Sequence, residues 1–268
     1  MRTIVHLSDL HFGRIHQPTV EPLLRAVRQL APDLVAISGD LTQRAKVEQF
    51  KEARAFLAAL PSPQIVVPGN HDVPLFNPVL RLSRPLDRFK RYITKDLAPA
   101  FIDDEIAVLG VNTTRRLVKK GGRVNSRQMM GVHQRFCEIG DKKLKIVVTH
   151  HPFDLPKGLG ERDLVGRARM AMQYFASCGV DVFLAGHLHL SHTGNTVRYE
   201  IEGYSALVVQ AGTATSNRGR GELNSFNLLR TSPEKITLEV HSWQQEGGKF
   251  AVSATKHFHR SDRGWVQR

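Results

Sequence analysis

Short apolar runs alternate with helical patterns along the first two thirds of the chain. The runs that predict strands are Thr3 to Leu7, Leu34 to Ser38, Gln64 to Val67, Ile106 to Val111, Leu144 to Thr149 and Val182 to Ala185. Apolar residues recur at helical spacing in Val20 to Leu30, between the first and second runs, and in Val47 to Leu60, between the second and third. Each of these apolar stripes can cover a sheet. Strands that alternate with helices predict the α/β class.

The pattern changes after Gly186, where strands follow one another without long helices. These strands are Leu207 to Gln210, Phe226 to Leu229, Ile236 to Trp243 and Phe250 to Ala254. We expect an antiparallel second half. Because no low-complexity linker and no fixed repeat divides the chain, the sequence predicts one domain over residues 1–268, with two sheets packed as a sandwich.

Five short polar clusters each follow a predicted strand. They are Asp9 with His11, Asp40, Asn70 with His71 and Asp72, His150 with His151, and His187 with His189. Open α/β sheets place their ligands beyond the carboxyl ends of the strands, so these clusters are expected to converge. In an extended chain, a spacing of two residues also puts Asp9 and His11 on one face. Glycine before Asp40, Asn70 and His187 lets the chain leave strand geometry there.

The clusters offer carboxylate, amide and imidazole groups and no thiolate. That donor set suits Mn, Fe or Zn. It exceeds what one tetrahedral metal needs, whereas two ions that share a carboxylate at roughly 3.5 to 4 Å would use all of it. The sequence therefore predicts two divalent or mixed-valence metal ions at a hydrolytic centre.

The order Asp-x-His, Gly-Asp, Gly-Asn-His-Asp, His and Gly-His-x-His resembles the calcineurin-like metallophosphoesterases, from Asp9 to His189. The residues that flank Asp9 and Asp40 are similar to the branch that contains class III cyclic-nucleotide phosphodiesterases. The resemblance implies a four-layer αββα sandwich of two mixed sheets. It also implies that one metal is bound by Asp9, His11, Asp40 and His189 and the other by Asp40, Asn70, His150 and His187, with Asp40 bridging.

The same resemblance implies roles for the neighbouring residues. His71 would contact a phosphoryl oxygen or the leaving group, and Asp72 would fix its orientation. The implied reaction is in-line attack of a metal-bound hydroxide on phosphorus, without a covalent enzyme intermediate. Since His150 and His151 point apart in an extended chain, only one is expected to bind metal, and His151 is expected to face the substrate.

The net charge of +13 and the pI near 10.1 favour anionic partners, although basic surfaces are also common in soluble proteins. Basic residues concentrate in segments 81–95 and 115–127, inside a region of about residues 73–127 that the sequence predicts to be an insertion or lid. In the first segment, Ser83 and Pro85 predict a helix start. Arg84, Arg88, Arg91 and Lys95 then share one face and Leu86, Phe89 and Ile93 another. A solvated amphipathic helix explains that pattern better than a lid or a polyanion track does.

Residues Thr213 to Glu222 form a second candidate for substrate contact, because they are rich in small, hydroxyl and guanidinium groups. Arg218 and Arg220 are the candidate phosphate-binding residues there. A flexible hairpin connection explains the glycines of this segment equally well.

The leading hypothesis is a metal-dependent phosphodiesterase for a small diester, with a cyclic nucleotide as first choice. The net charge favours, as an alternative, a manganese-dependent nuclease or nucleic-acid end-processing enzyme. A further alternative is a lipid-phosphate phosphomonoesterase with its basic segments at a membrane surface, although the sequence shows no anchor for it. A binding module without turnover is disfavoured, because no predicted ligand is lost.

Two cysteines in separate segments, Cys137 and Cys178, indicate a reducing compartment. The chain shows no secretory leader pattern after Met1 and no apolar run of membrane-spanning length. We therefore expect a cytoplasmic protein. The sequence does not indicate an oligomeric state.

Overall fold

The computed structural model of the chain describes residues 1–140, 142–218, 221–262 and 264–268. In chain order, the strands in these residues are β1 (Arg2–Leu7), β2 (Leu34–Ile37), β3 (Gln64–Val66), β4 (Ala100–Ile102), β5 (Ile106–Gly110), β6 (Leu144–Val148), β7 (Val182–Ala185), β8 (His192–Asn195), β9 (Leu207–Gln210), β10 (Ser225–Thr231), β11 (Lys235–Gln244), β12 (Lys249–Ser261) and β13 (Gly264–Gln267). The α-helices are α1 (Val20–Leu30), α2 (Val47–Ala59), α3 (Pro78–Ser83), α4 (Asp87–Tyr92), α5 (Ser126–Ile139) and α6 (Ala168–Ser177).

The strands form two mixed sheets. The first sheet has the order β13-β12-β11-β10-β1-β2-β3, and the second has the order β4-β5-β6-β7-β9-β8. Parallel pairs join β1, β2 and β3 in the first sheet and β5, β6, β7 and β9 in the second. The remaining pairs are antiparallel.

Three apolar clusters fill the spaces between four layers. One cluster lies between the sheets and includes Ile4, Ile146 and Leu229. A second packs α1, α2 and α4 on the outer face of the first sheet, and a third packs α5 and α6 on the outer face of the second. Strands β2, β5, β6, β7 and β9 are buried along their whole length, as expected for strands covered on both faces. The αββα sandwich of two mixed sheets is confirmed.

The expected antiparallel second half is only partly correct. Strands β10 to β13 are antiparallel, and they extend the first sheet beside β1. Strand β9, however, is parallel to β7 in the second sheet. The pairing of β9 depends on a neighbour that is distant along the chain, which local patterning does not reveal.

The helix predicted to start near Ser83 is shorter and begins later. Ser83 is the last residue of α3, and α4 begins at Asp87 and ends at Tyr92. Its apolar face behaves as predicted, because Leu86 and Phe89 are buried in the cluster beneath the helix. Region 73–127 also contains β4 and β5 of the second sheet, so only the parts before β4 and after β5 lie outside the sheets. The prediction that these parts form an insertion or lid of a single domain stays a prediction.

None of the helices in the described ranges combines the length and the hydropathy that crossing a membrane would require.

Candidate metal centre

All five polar clusters lie just beyond the carboxyl ends of parallel strands. Asp9, Asp40 and Asn70 follow β1, β2 and β3 of the first sheet, and His150 and His187 follow β6 and β7 of the second. The strand ends of both sheets meet at one edge of the sandwich. The side chains that the sequence predicted to converge are therefore brought together.

The first group consists of Asp9, His11, Asp40 and His189, all buried. The Nε2 atoms of His11 and His189 are 3.1 Å apart, and Oδ1 of Asp9 lies 3.2 Å from Nε2 of His189. Oδ2 of Asp40 lies 3.7 Å from Nε2 of His11. Two carboxylate oxygens and two imidazole nitrogens thus face one small volume, which suits a cation.

The second group shares Asp40 with the first. Oδ2 of Asp40 lies 3.4 Å from Nε2 of His150. Oδ1 of Asn70 lies 3.1 Å from the same nitrogen and 3.0 Å from Nδ1 of His187. One oxygen of Asp40 therefore faces donors of both groups, as a bridging ligand must.

Each carboxylate is oriented through its other oxygen. Oδ2 of Asp9 accepts hydrogen bonds from the hydroxyl of Ser8 and from the backbone N–H of His187, and Oδ1 of Asp40 accepts from the backbone N–H of His71. Oδ1 of Asp9 is buried and accepts no hydrogen bond from the residues that the structure describes. A buried charged oxygen without a donor is costly, and a metal ion at this position would satisfy it. The residues present therefore fit the metals that the donor chemistry indicates.

Five of the converging side chains sit on left-handed backbone. They are Asp9 at φ 53°, His11 at φ 51°, Asp40 at φ 53°, His187 at φ 74° and His189 at φ 58°. Residues other than glycine adopt this conformation rarely, at a cost on the order of 1–3 kcal/mol each, and such residues cluster at functional sites. The left-handed turn, and not an extended chain, brings Asp9 and His11 to the same place.

Glycine serves two different needs beside these residues. Gly39, before Asp40, has a φ of +94°, as a sharp turn requires. Gly186, before His187, is instead required by a close approach, since a Cβ there would lie 1.8 Å from Oγ of Ser8.

Electrostatics at the centre favour a cation. Burial would raise the pKa of Asp40, but His150 beside it outweighs burial and holds that pKa well below its usual range. Burial would likewise lower the pKa of His150, yet Asp40 raises it to about 9. This pair therefore attracts positive charge, whether a proton on His150 or a metal ion. Burial, followed by the charge of His150, lowers the pKa of His187 to about 3, so that its ring is neutral and able to ligate.

The imidazole of His71 faces the centre from one side. Its Nδ1 donates to the carbonyl oxygen of Gln43 at 2.9 Å, since that oxygen can only accept. Nε2 then accepts from a guanidinium N–H of Arg218 at 2.9 Å. Burial lowers the pKa of His71, which favours this neutral ring. The predicted residue Arg218 thus lies at the centre, next to the predicted catalytic histidine.

Asp72 does not orient the ring of His71, in contrast to the expectation. Its carboxylate accepts from the backbone N–H groups of Leu41, Thr42 and Gly69 and from the hydroxyl of Thr42. It therefore joins the turn that carries Asp40 to the turn that carries Asn70. Burial and the charge of Asp40 raise the pKa of Asp72 to about 6.

The expectation that His151 faces the substrate is also corrected, because its ring is directed at protein partners. The ring is buried, with Nδ1 2.7 Å from Oγ1 of Thr113 and Nε2 2.9 Å from the carbonyl oxygen of Lys120. It lies beside His150 and His187, with ring centroids 4.8 and 4.6 Å away. Because both nitrogens have protein partners, His151 holds the segment before Gly122 against the centre.

Arg220, the other candidate for phosphate binding, lies outside the described residues. Sequence reasoning also missed residues that the structure places here. Arg44 donates to the carbonyl oxygen of Gln43 and lies 3.4 Å from Nδ1 of His71, and Ser8 fixes Asp9. The sequence offers one signal for them, which is that Arg44 lies four residues after Asp40 and Ser8 lies directly before Asp9.

Comparison with known proteins supports the same interpretation. The family model described as "Calcineurin-like phosphoesterase" matches residues 2–191. A probable glycerophosphodiester phosphodiesterase, GpdQ of Arcobacter nitrofigilis, is 22% identical over 222 residues, which cover 81% of this chain and 76% of that protein. A probable cyclic nucleotide phosphodiesterase of Synechococcus sp. is 28% identical over 81 residues, which cover 27% of this chain and 32% of the relative.

Among solved structures, a dimetal phosphatase from Danio rerio has a similar fold, with a TM-score of 0.66 at 13% identity. The similarity covers 94% of this chain and 98% of that one. At this identity the likeness concerns the fold.

Proposed function

Because the chain belongs to the calcineurin-like phosphoesterase family, and is thus a metal-dependent phosphoric ester hydrolase, we propose that it is a binuclear phosphodiesterase. The proposal rests on the position of Asp40, which belongs to both groups of candidate ligands. One of its oxygens faces His11 of the first group and His150 of the second. In this proposal Asp9, His11, Asp40 and His189 hold one ion, and Asp40, Asn70, His150 and His187 hold the other.

Ions of Mn, Fe or Zn bound there would supply Lewis-acid stabilisation of phosphoryl charge and would lower the pKa of a bound water. The side chains of the protein supply the groups that bind the phosphate and transfer a proton. His71 and Arg218 present an imidazole nitrogen and a guanidinium at the same point, 2.9 Å apart. A phosphoryl oxygen placed there would receive the N–H groups of Arg218, which bind phosphate well. Nε2 of His71 accepts in the neutral ring, so it would first take up a proton from solvent and would then donate that proton to the departing oxygen.

The proposed substrate is a diester, in keeping with the names of the two relatives. One is named for glycerophosphodiesters and the other for cyclic nucleotides. These names supply two substrates to compare, with the cyclic nucleotide as the first choice from the residues around Asp9 and Asp40.

A substrate panel with matched metal analysis tests the proposal. Protein loaded with Mn, Fe or Zn would be given bis(4-nitrophenyl) phosphate, its monoester, 3′,5′ and 2′,3′ cyclic nucleotides, glycerophosphocholine, single-stranded DNA and a lipid phosphate. We expect about two metal ions per chain in the active protein and faster turnover of the diester than of the monoester. The Asp40→Ala variant is the control, because it removes the shared ligand.

Three outcomes would contradict the proposal. Turnover by metal-free protein would remove the role of the ions, and full activity with one ion per chain would remove the binuclear assignment. Activity confined to DNA, falling steeply with added salt, would favour the nuclease alternative.

A further inference from the structure

The segment around helix α3 exposes apolar side chains and buries a charged one, which is the reverse of an ordinary surface helix. Phe76 lies just before α3, and Val79 and Leu82, which are three residues apart within it, share one side of the helix. Their exposed fractions are 77%, 72% and 48%. Arg81, by contrast, is buried, and its guanidinium donates to the carbonyl oxygens of Pro74 and Val118. The apolar residues of this segment face solvent while a charged residue faces the protein.

A second apolar pair lies beside this helix. Leu117 is 77% exposed and Val118 is 36% exposed. Their segment contacts α3 through the bond from Arg81 to Val118 and through a bond from Arg116 to the carbonyl oxygen of Leu82. The two segments therefore form one surface, which we call the apolar rim and define as Phe76, Val79, Leu82, Leu117 and Val118. Exposed apolar side chains gathered in one place on a surface make that place a candidate for an interaction site.

Exposed cations surround the apolar rim. Arg116 precedes Leu117, and Lys119 and Lys120 follow Val118, so the apolar tip of this segment stands between cations. Val118 also lines a cleft of about 630 Å³, and among the described residues that line it Glu161 is the single acid. The arginines of that cleft are Arg123, Arg162, Arg167, Arg169 and Arg198. The surface next to the apolar rim is thus strongly positive.

The apolar rim lies close to the candidate metal centre. The guanidinium of Arg44 is 5.2 Å from the ring centroid of Phe76 and also 3.4 Å from Nδ1 of His71. On the other side, the carbonyl oxygen of Lys120 is bonded to His151, which packs beside His150. A partner that covers the rim would therefore lie next to the opening of the centre.

We propose that this face docks on a lipid bilayer with anionic headgroups. Apolar side chains flanked by lysine and arginine suit the bilayer interface, where the apolar groups enter the acyl boundary and the cations reach the headgroups. A symmetric contact with a second copy would instead bring these cations against their own equivalents, which is unfavourable. Single-stranded nucleic acid binds through stacked aromatic rings, and Phe76 is the one aromatic residue of the rim. Docking adds a partner to the proposed phosphodiesterase and does not itself depend on turnover.

Vesicle binding by the full-length, metal-loaded protein tests this proposal. Binding to phosphatidylcholine vesicles with 30% phosphatidylglycerol would be measured by cosedimentation, with pure phosphatidylcholine as comparison. The rim variant is Val79→Ser with Leu117→Ser, two residues that are more than 70% exposed. The matched control is Val252→Ser with Val266→Ser, on β12 and β13, where the two valines are 49% and 51% exposed. Hydrolysis of soluble bis(4-nitrophenyl) phosphate is followed in parallel.

We expect binding to the anionic vesicles, weakened at least about tenfold in the rim variant and unchanged in the control. Replacement of Lys119 and Lys120 by glutamine should weaken binding to anionic vesicles and remove its salt dependence in part. Hydrolysis of the soluble diester should be equal in wild type, rim variant and control.

Several results would overturn the proposal. They are absence of vesicle binding by wild type at low salt, equal binding by the rim variant, or a rim variant that dissociates a dimer or releases single-stranded DNA while vesicle binding is unchanged. If wild type binds vesicles through the rim but hydrolyses no diester, the proposed function fails while the docking surface stands.

Discussion

The close approach at Gly186 gives a direct test of how the metal centre is held. A Cβ at this position would lie 1.8 Å from Oγ of Ser8 and 2.5 Å from Oδ2 of Asp9. Both are far below van der Waals contact, so Gly186→Ala must displace Ser8, Asp9 or both. The displaced groups share the 2.6 Å hydrogen bond that orients Asp9. The substitution therefore disturbs a proposed ligand without removing any ligand from the sequence.

The expected size of the effect follows from these contacts. Overpacking costs about 1–3 kcal/mol, and loss of a hydrogen bond to a charged group costs about 1.5–3 kcal/mol. The shift that relieves the overpacking also breaks the hydrogen bond, so the two costs overlap. We therefore expect Gly186→Ala to lower the free energy of unfolding by about 2–4 kcal/mol. Metal affinity should fall about 10- to 100-fold, as it does when groups that orient ligands are lost.

Urea unfolding and metal titration measure the two effects on the same protein. The matched control is Gly131→Ala in the interior of α5, where a new Cβ would meet no described atom within 4 Å outside the helix's own backbone and the two adjacent residues. That change should raise the free energy of unfolding by about 0.4–1 kcal/mol and leave metal affinity unchanged. Adding Ser8→Ala to Gly186→Ala removes the 1.8 Å contact and should restore part of the stability.

The reasoning is wrong if Gly186→Ala binds metal and unfolds like wild type. It is also wrong if the substitution lowers stability as much as predicted while metal affinity is unchanged, because the displaced group would then not be a ligand.

Four further predictions concern separate parts of the molecule. Asp40→Ala should reduce the metal content at one or both sites, as measured by elemental analysis of the purified protein, and wild-type content would refute the bridging role. His71→Ala should keep its metal yet lose about 10²- to 10⁴-fold in single-turnover rate, so that a rate near wild type would exclude proton transfer by this residue. Asn125→Ala removes the side chain that accepts the first-turn N–H of α5 and should lower the free energy of unfolding by about 0.5–2 kcal/mol in urea. Burial raises the pKa of Cys178 to about 12, so at pH 8 iodoacetamide should label the exposed Cys137 in native protein and both cysteines in urea, and a native protein labelled twice would show that Cys178 is accessible.

The fold could be predicted where strands are covered on both faces. Strands β2, β6 and β7 appear in the sequence as continuous apolar runs because helices and the opposite sheet exclude water from them. Strand β8 has no such run, since it is polar and half-exposed at a sheet edge. Strand β12 extends beyond Ala254 to Ser261 through largely exposed residues, whose strand state depends on pairing with β11. Local patterning identifies buried strands, and pairing at the edges follows from the tertiary structure.

The convergence of the candidate ligands could be predicted for a related reason. Each cluster follows a recognisable strand, and parallel strands end at the same edge. The directions of individual side chains could not be predicted, because they depend on backbone that is neither helix nor strand. Asp72 is bonded to two turns and not to the ring of His71. His151 is bonded to Thr113 and Lys120 beside the centre. The apolar rim was missed because an exposed and a buried leucine look the same in a sequence.

The left-handed backbone at five of the converging residues has a consequence for how this protein can change. Glycine would relieve the conformation at Asp9, His11, Asp40, His187 and His189, but it would delete the donor atom. A directed-evolution screen for thermostability in chelator would therefore select against the functional sequence at these positions. Stabilised versions of this enzyme should be sought with these codons fixed, or with the metals present throughout the selection.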